Sequence, residues 1–210
     1  MQELHLFENT VYAGAELSTA SRAIIFVHGR GDASDKMLLL SKQLVNDAGT
    51  ALIFPQATNN TWYPKSFLAP TDENQPWLDS AFANLGKVVA HIKSFRVTEE
   101  NIFLFGFSQG ACLAFDYACR NATKYGGIMV LSGGLIGPAI NKSNYSGGFA
   151  GTEIFMGCSD TDFHIPLARL HESKEVAVEM GARVDLRIYP GMGHMINEDE
   201  LQQVKKMIQP

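Results

Sequence analysis

Six short apolar runs recur along the chain: AIIFVH (23–28), ALIF (51–54), IFLFG (102–106), GIMVLS (127–132), EIFMG (153–157) and VDLRIY (184–189). Several are apolar at both alternating positions, so both faces of such a strand need cover. Between them lie stretches with helical spacing, near 34–48, 78–95, 109–121, 166–180 and 197–208. Parallel strands cannot be joined by a tight turn, and a helix crossing the sheet supplies both the return path and the apolar cover. The alternation therefore predicts an α/β layer fold, with a mostly parallel central sheet and helices on both faces. The segment HLFENTVYAG (5–14) is expected to add an antiparallel edge hairpin.

No repeat or low-complexity linker divides the chain. Its 210 residues, 46% of them hydrophobic, suffice for one core, so a single domain over residues 1–210 is expected. The net charge of −5, with Lys and Arg scattered, gives no electrostatic basis for binding nucleic acid or an anionic membrane. No uninterrupted apolar stretch reaches the roughly 18 residues that a membrane-spanning helix needs. The three cysteines, Cys112, Cys119 and Cys158, lack metal-type spacing and are odd in number, which suits buried thiols in a reducing compartment. The opening residues lack the basic start and apolar middle of a secretory signal. A cytoplasmic protein, monomer or homodimer, is the expectation.

In parallel α/β sheets the ligand sits beyond the carboxyl ends of the strands. The loops after His28, Phe54, Gly106, Ser132, Gly157 and Tyr189 are therefore the places to look. After the third of these runs comes GFSQG (106–110), a serine between glycines where strand gives way to helix. The bare pattern is weak, but its context is specific. A sharp strand-to-helix turn strains the serine backbone, while flanking glycines let the two elements approach without clash. Ser108 would then project its hydroxyl from the top of the sheet as a nucleophile, with the Gln109 amide facing the same space.

A serine hydroxyl needs a base, and the base needs an orienting acid. His194, in PGMGHMI (190–196), follows the last strand on a flexible turn and fits the chain order serine, acid, histidine. The acid falls in GCSDTDFHIP (157–166), where Asp160 and Asp162 are both possible on residue chemistry alone. Two backbone donors are also needed for an oxyanion. Gln109 supplies one amide, and the glycine-rich HGRGD (28–32) can turn the amide of Arg30 toward the same point.

With HGRGD, GFSQGA, LSGGL (131–135), DFHIP (162–166) and GMGH (191–194) in this order, the chain resembles the phospholipase/carboxylesterase family of the α/β-hydrolase superfamily, which includes acyl-protein thioesterases. The resemblance spans about 22–208 and implies a single-domain α/β-hydrolase fold without a large lid domain. It implies Ser108 as nucleophile, His194 as base, and Arg30 and Gln109 as oxyanion donors. An aspartate four residues before a proline selects Asp162, before Pro166, whereas the family's spacing from the strand-end glycine, here Gly157, selects Asp160. Asp162 is taken as the acid and Asp160 as the alternative. Phe163 replaces the proline that often follows the acid.

Residues 58–77, TNNTWYPKSFLAPTDENQPW, are too irregular and aromatic for a simple connector. Trp62, Tyr63, Phe67 and Leu68 are candidates for lining a substrate pocket, or else for packing as a satellite core. A second irregular stretch, 136–151, is expected to face them across a modest, open cleft. Asp160, Asp162 and His164 form a DxDxH run, but no second histidine cluster completes a metal shell. No GxGxxG or phosphate loop is present, so no metal or cofactor is expected. The combination points to hydrolysis of small carboxylic esters or thioesters through an acyl-enzyme. Lactone, amide or carbon–carbon cleavage and a non-catalytic small-molecule receptor are the alternatives.

Overall fold

Seven strands form one sheet in the order β1-β3-β2-β4-β5-β6-β7 in a computed structural model that describes residues 3–209. The strands are β1 (Val11–Gly14), β2 (Arg22–Val27), β3 (Thr50–Phe54), β4 (Ile102–Phe107), β5 (Gly127–Leu131), β6 (Glu153–Ser159) and β7 (Arg183–Tyr189). The helices are α1 (Ser34–Leu44), α2 (Trp77–Ser94), α3 (Gln109–Arg120), α4 (Leu167–Glu179) and α5 (Glu198–Ile208). All pairings are parallel except β1 with β3. The expected edge hairpin does not form. Phe7–Asn9 is a 3-10 turn, and β1 alone runs antiparallel to β3, its spatial neighbour and not its sequence neighbour.

Alternate side chains of the central strands feed two cores. Ile25, Val27, Leu104, Val130 and Met156 pack beneath α2, α3 and α4, together with Leu85, Phe115 and Leu170. Ile24, Phe26, Phe105, Met129 and Phe155 pack beneath α1 and α5, against Met37 and Val204. Both faces are thus dry, which is why these strands read as continuous apolar runs. The helix expected over 34–48 ends at Leu44 because Asp47 is drawn away. Its carboxylate accepts from the Gly49 amide and from Arg22, and it also takes the Thr50 hydroxyl.

This topology creates the crevice. The chain leaves β2 for α1 on one face of the sheet and leaves β4 for α3 on the other, although the two strands are neighbours. Their carboxyl-terminal loops diverge, opening the gap where a ligand can sit. Among the described residues, no helix is long and apolar enough to cross a membrane. The three cysteines are free and buried.

Candidate active site

Ser108 occupies a backbone conformation that few residues other than glycine adopt, φ 54° and ψ −122°. Holding a serine there costs on the order of 1–3 kcal/mol, so the surroundings must enforce it. They do so from two sides. The Ser108 amide donates to Leu131 O at the end of β5 (2.9 Å), and the Cys112 amide donates to Ser108 O (3.0 Å). The flanking glycines follow from distance. A Cβ on Gly106 would stand 2.5 Å from Gly110 O, and one on Gly110 only 2.2 Å from Val27 O and 2.4 Å from His28 O. Helix α3 can therefore start directly against β2 and β4 only if both positions lack a side chain.

His194 comes to the serine on a loop pinned at several points. Gly191 and Gly193 take left-handed conformations (φ 66° and 75°). Their amides donate to Asp160 Oδ1 (2.7 Å) and Ser159 Oγ (2.9 Å) at the end of β6. Downstream, Asn197 and Glu200 form a reciprocal capping box at the start of α5, which fixes the other end of the loop. The imidazole packs against Phe107 (centroids 5.1 Å apart) and His164 (4.7 Å). Its Nε2 lies 2.8 Å from Ser108 Oγ, and its Nδ1 lies 2.7 Å from Asp162 Oδ2.

Asp162 is buried, with Oδ1 accepting the amides of His164 (2.9 Å) and Ile165 (3.2 Å). Burial raises its carboxyl, but the bonds from His194 and from those two amides outweigh it, so the group lies below the usual carboxylate range. A carboxylate held ionised against Nδ1 keeps the hydrogen on that nitrogen and leaves Nε2 free to take a proton from the hydroxyl. Asp160 is turned the other way. It is exposed and holds the Gly191 amide, bracing the histidine loop from outside the row.

The amides of Arg30 and Gln109 have no protein acceptor among the described residues, and both residues line the cleft around Ser108. Gln109 is the first residue of α3, where unpaired amides carry partial positive charge. Its side chain has a separate task. Oε1 accepts the Trp62 amide (2.9 Å), and Nε2 donates to Tyr63 O (2.8 Å). The Arg30 side chain is exposed, and its guanidinium likewise donates to Pro64 O (2.7 Å) and Lys65 O. Both residues therefore tie the 58–77 segment to the cleft. Residue type gave no hint of either tie.

The cleft has a volume of about 390 Å³, and its walls include Tyr63, Phe67, Cys112, His164 and Ile165. Two expected wall residues stand elsewhere. Trp62 is buried beneath the site, donating its indole N–H to His28 O (2.9 Å) and packing on the His5 and His28 rings, and Leu68 packs against the core. The 136–151 segment does not face the cleft either. It lies behind the 58–77 segment, where the Gly137 amide donates to Phe67 O (2.7 Å), and the facing wall is His164 and Ile165. His5 and His28 were not singled out in the sequence, yet both hold the loop from below. His5 Nδ1 accepts the Thr58 amide and His28 Nε2 the Ala57 amide, and burial lowers both imidazoles so that they stay neutral.

Known proteins resemble the chain over most of its length. The family model for phospholipase/carboxylesterase matches residues 14–210. Acyl-protein thioesterase 1 of Saccharomyces cerevisiae is 28% identical over 224 residues, covering 95% of this chain and 97% of its own. A probable SOBER1-like carboxylesterase of Arabidopsis thaliana is 24% identical over 216 residues, covering 91% and 79%. The crystal structure of a phospholipase/carboxylesterase from Dyadobacter fermentans superposes with a TM-score of 0.93 at 42% identity, over 96% of each chain. With the family's pattern matched from the edge strand to the last helix, the chain belongs to the phospholipase/carboxylesterase family of α/β-hydrolase folds and is a hydrolase of the carboxylesterase and thioesterase type.

Proposed function

We propose that the protein hydrolyses small carboxylic esters or thioesters, with Ser108 as nucleophile, His194 as general base and acid, and Asp162 as the acid that orients His194. The observation that carries this reading is the unbroken row from Ser108 Oγ through the His194 ring to Asp162 Oδ2, with steps of 2.8 and 2.7 Å. His194 takes the hydroxyl proton as Ser108 Oγ bonds to the carbonyl carbon, and the carbonyl electrons move onto oxygen. The Arg30 and Gln109 amides hold that oxyanion. Collapse expels the alcohol or thiol, which leaves with the proton from His194, and Ser108 remains acylated. Water then repeats the steps, releasing the acid and restoring the hydroxyl.

The walls limit the acyl group. Tyr63, Phe67, Cys112 and Ile165 are all buried and form a largely apolar floor to the cleft of about 390 Å³. Acetyl to butyryl groups fit such a floor better than a long chain. Buried free thiols suit a reducing compartment, in keeping with a cytoplasmic enzyme.

Turnover of p-nitrophenyl acetate and butyrate by Ser108→Ala tests the reading. The variant should fold normally and lose about 10⁴-fold or more in kcat, and retained activity rejects the assignment. Matched ester, amide and lactone substrates separate this chemistry from the other hydrolytic reactions that the fold hosts.

A further inference from the structure

Three successive residues at the end of β6 each reach a different part of the serine–histidine–aspartate row and its supports. Asp160 takes the Gly191 amide, Ser159 takes the Gly193 amide, and Cys158 reaches Asp162 itself. The Cys158 sulfur stands 3.7 Å from Asp162 Oδ2, the same oxygen that faces His194 Nδ1. The other two cysteines have no such contact. Cys112 Sγ accepts the Gly134 amide (3.4 Å), and Cys119 packs in the core.

An ionised carboxylate offers about four acceptor positions. In Asp162, Oδ1 accepts two amides and Oδ2 accepts the imidazole, which leaves one position on Oδ2. Water does not reach it, because the side chain is 0% exposed. Among the described residues, the Cys158 thiol is the one further donor to that oxygen. The thiol also keeps its hydrogen. Cys158 is fully buried, and burial, with a further push from the Asp162 charge, raises it to about 12, far above the range in which a histidine titrates.

We infer that Cys158 is a positioning residue for the hydrolysis: its S–H donates to Asp162 Oδ2, fills the last acceptor position of the buried carboxylate and tunes how strongly Asp162 holds the His194 ring. The inference rests on the proposed catalytic reading and adds to it a residue that acts only through Asp162. The sign follows from the shared oxygen. A second donor draws off part of the negative charge that Oδ2 offers to the ring. Without it the carboxylate is more basic and favours the imidazolium, so His194 keeps its proton to higher pH and the free base that starts the reaction appears later.

Cys158→Val removes the donor and fills its space with a side chain suited to a strand. The acid limb of kcat/KM for p-nitrophenyl acetate should move up by about half a pH unit, which is about threefold in the proton affinity of the ring. A purely structural role would lower the urea midpoint and the rate without moving the limb. Infrared spectroscopy reads the bond in the unaltered protein. The S–H stretching band of Cys158, identified by its loss in Cys158→Ser, should lie below that of an unbonded thiol and rise in Asp162→Asn, because a neutral amide accepts more weakly than a carboxylate. If Cys158→Val does not fold, the band decides alone. An acid limb that stays in place or moves down in the folded variant, or a band at the position of an unbonded thiol, overturns the inference and leaves the catalytic reading standing. An unaltered protein that does not turn over the ester overturns the catalytic reading and the inference with it.

Discussion

Glu200 gives the sharpest test of how the histidine loop is supported. It is fully buried in the first turn of α5, its Oε2 accepts the Asn197 amide (2.8 Å), and its Oε1 has no partner among the described residues. That oxygen lies against Gly157, where a Cβ would come within 2.3 Å of it. Burial pushes the carboxyl up from 4.5 to about 7, against the lowering effect of the Asn197 amide and with a further push from Asp199. Each tenfold of proton affinity is worth about 1.4 kcal/mol, so the gap amounts to about 3 kcal/mol.

The sign follows from proton counting. Between pH 4.5 and about 7 the unfolded chain has released this proton while the folded chain keeps it, so stability falls as pH rises through that window and is lowest above it. Glu200→Gln removes the ionisation and keeps a residue able to complete the capping box. Urea unfolding at two pH values reads the effect. Relative to the unaltered protein, the variant should gain about 3 kcal/mol more at pH about 8 than at pH about 4.5. A difference that is the same at both values refutes the reasoning, because Glu200 would then titrate alike in the folded and unfolded chain.

Asp162→Asn should lower kcat by about 10³-fold or more, whereas Asp160→Asn, which only weakens the brace on Gly191, should cost less than about tenfold and at most about 1 kcal/mol of stability. Steady-state kinetics with denaturant curves distinguishes the two. Gly110→Ala places a Cβ 2.2 Å from Val27 O, a backbone atom that cannot swing away, so α3 must shift; about 3 kcal/mol or more of stability and nearly all activity should be lost. Phe67→Ala removes an apolar wall of the cleft and should move the optimum of a p-nitrophenyl ester series toward longer acyl chains. An unchanged optimum would mean that the acyl group does not lie against Phe67.

The strands and the serine turn were legible because local chemistry decides them. Apolar residues on both alternating faces require a doubly covered sheet, and GFSQG is glycine at 106 and 110 because backbone atoms occupy the space a side chain would need. The choice between Asp160 and Asp162 was not local. Two carboxylates two residues apart differ only in which distant groups reach them, the His194 ring for Asp162 and the Gly191 amide for Asp160. The same reason hid the fate of Trp62, whose aromatic side chain suits a pocket wall as well as a buried brace until the His28 carbonyl beneath it is known. The edge hairpin failed because β1 finds its partner in β3, beyond β2, helix α1 and three loops, and no turn signal encodes that pairing. His5 and His28 support the cleft through amides more than 25 positions away along the chain.

The central claim is that Ser108 is activated by the ring of His194. Labelling with a fluorophosphonate, followed by peptide mass analysis, tests it most directly. The phosphonyl mass should appear on the peptide carrying Ser108, be absent in Ser108→Ala, and form at least about 10³-fold more slowly in His194→Ala. An unlabelled serine in the folded protein, or labelling that proceeds at full rate without the imidazole, would contradict it.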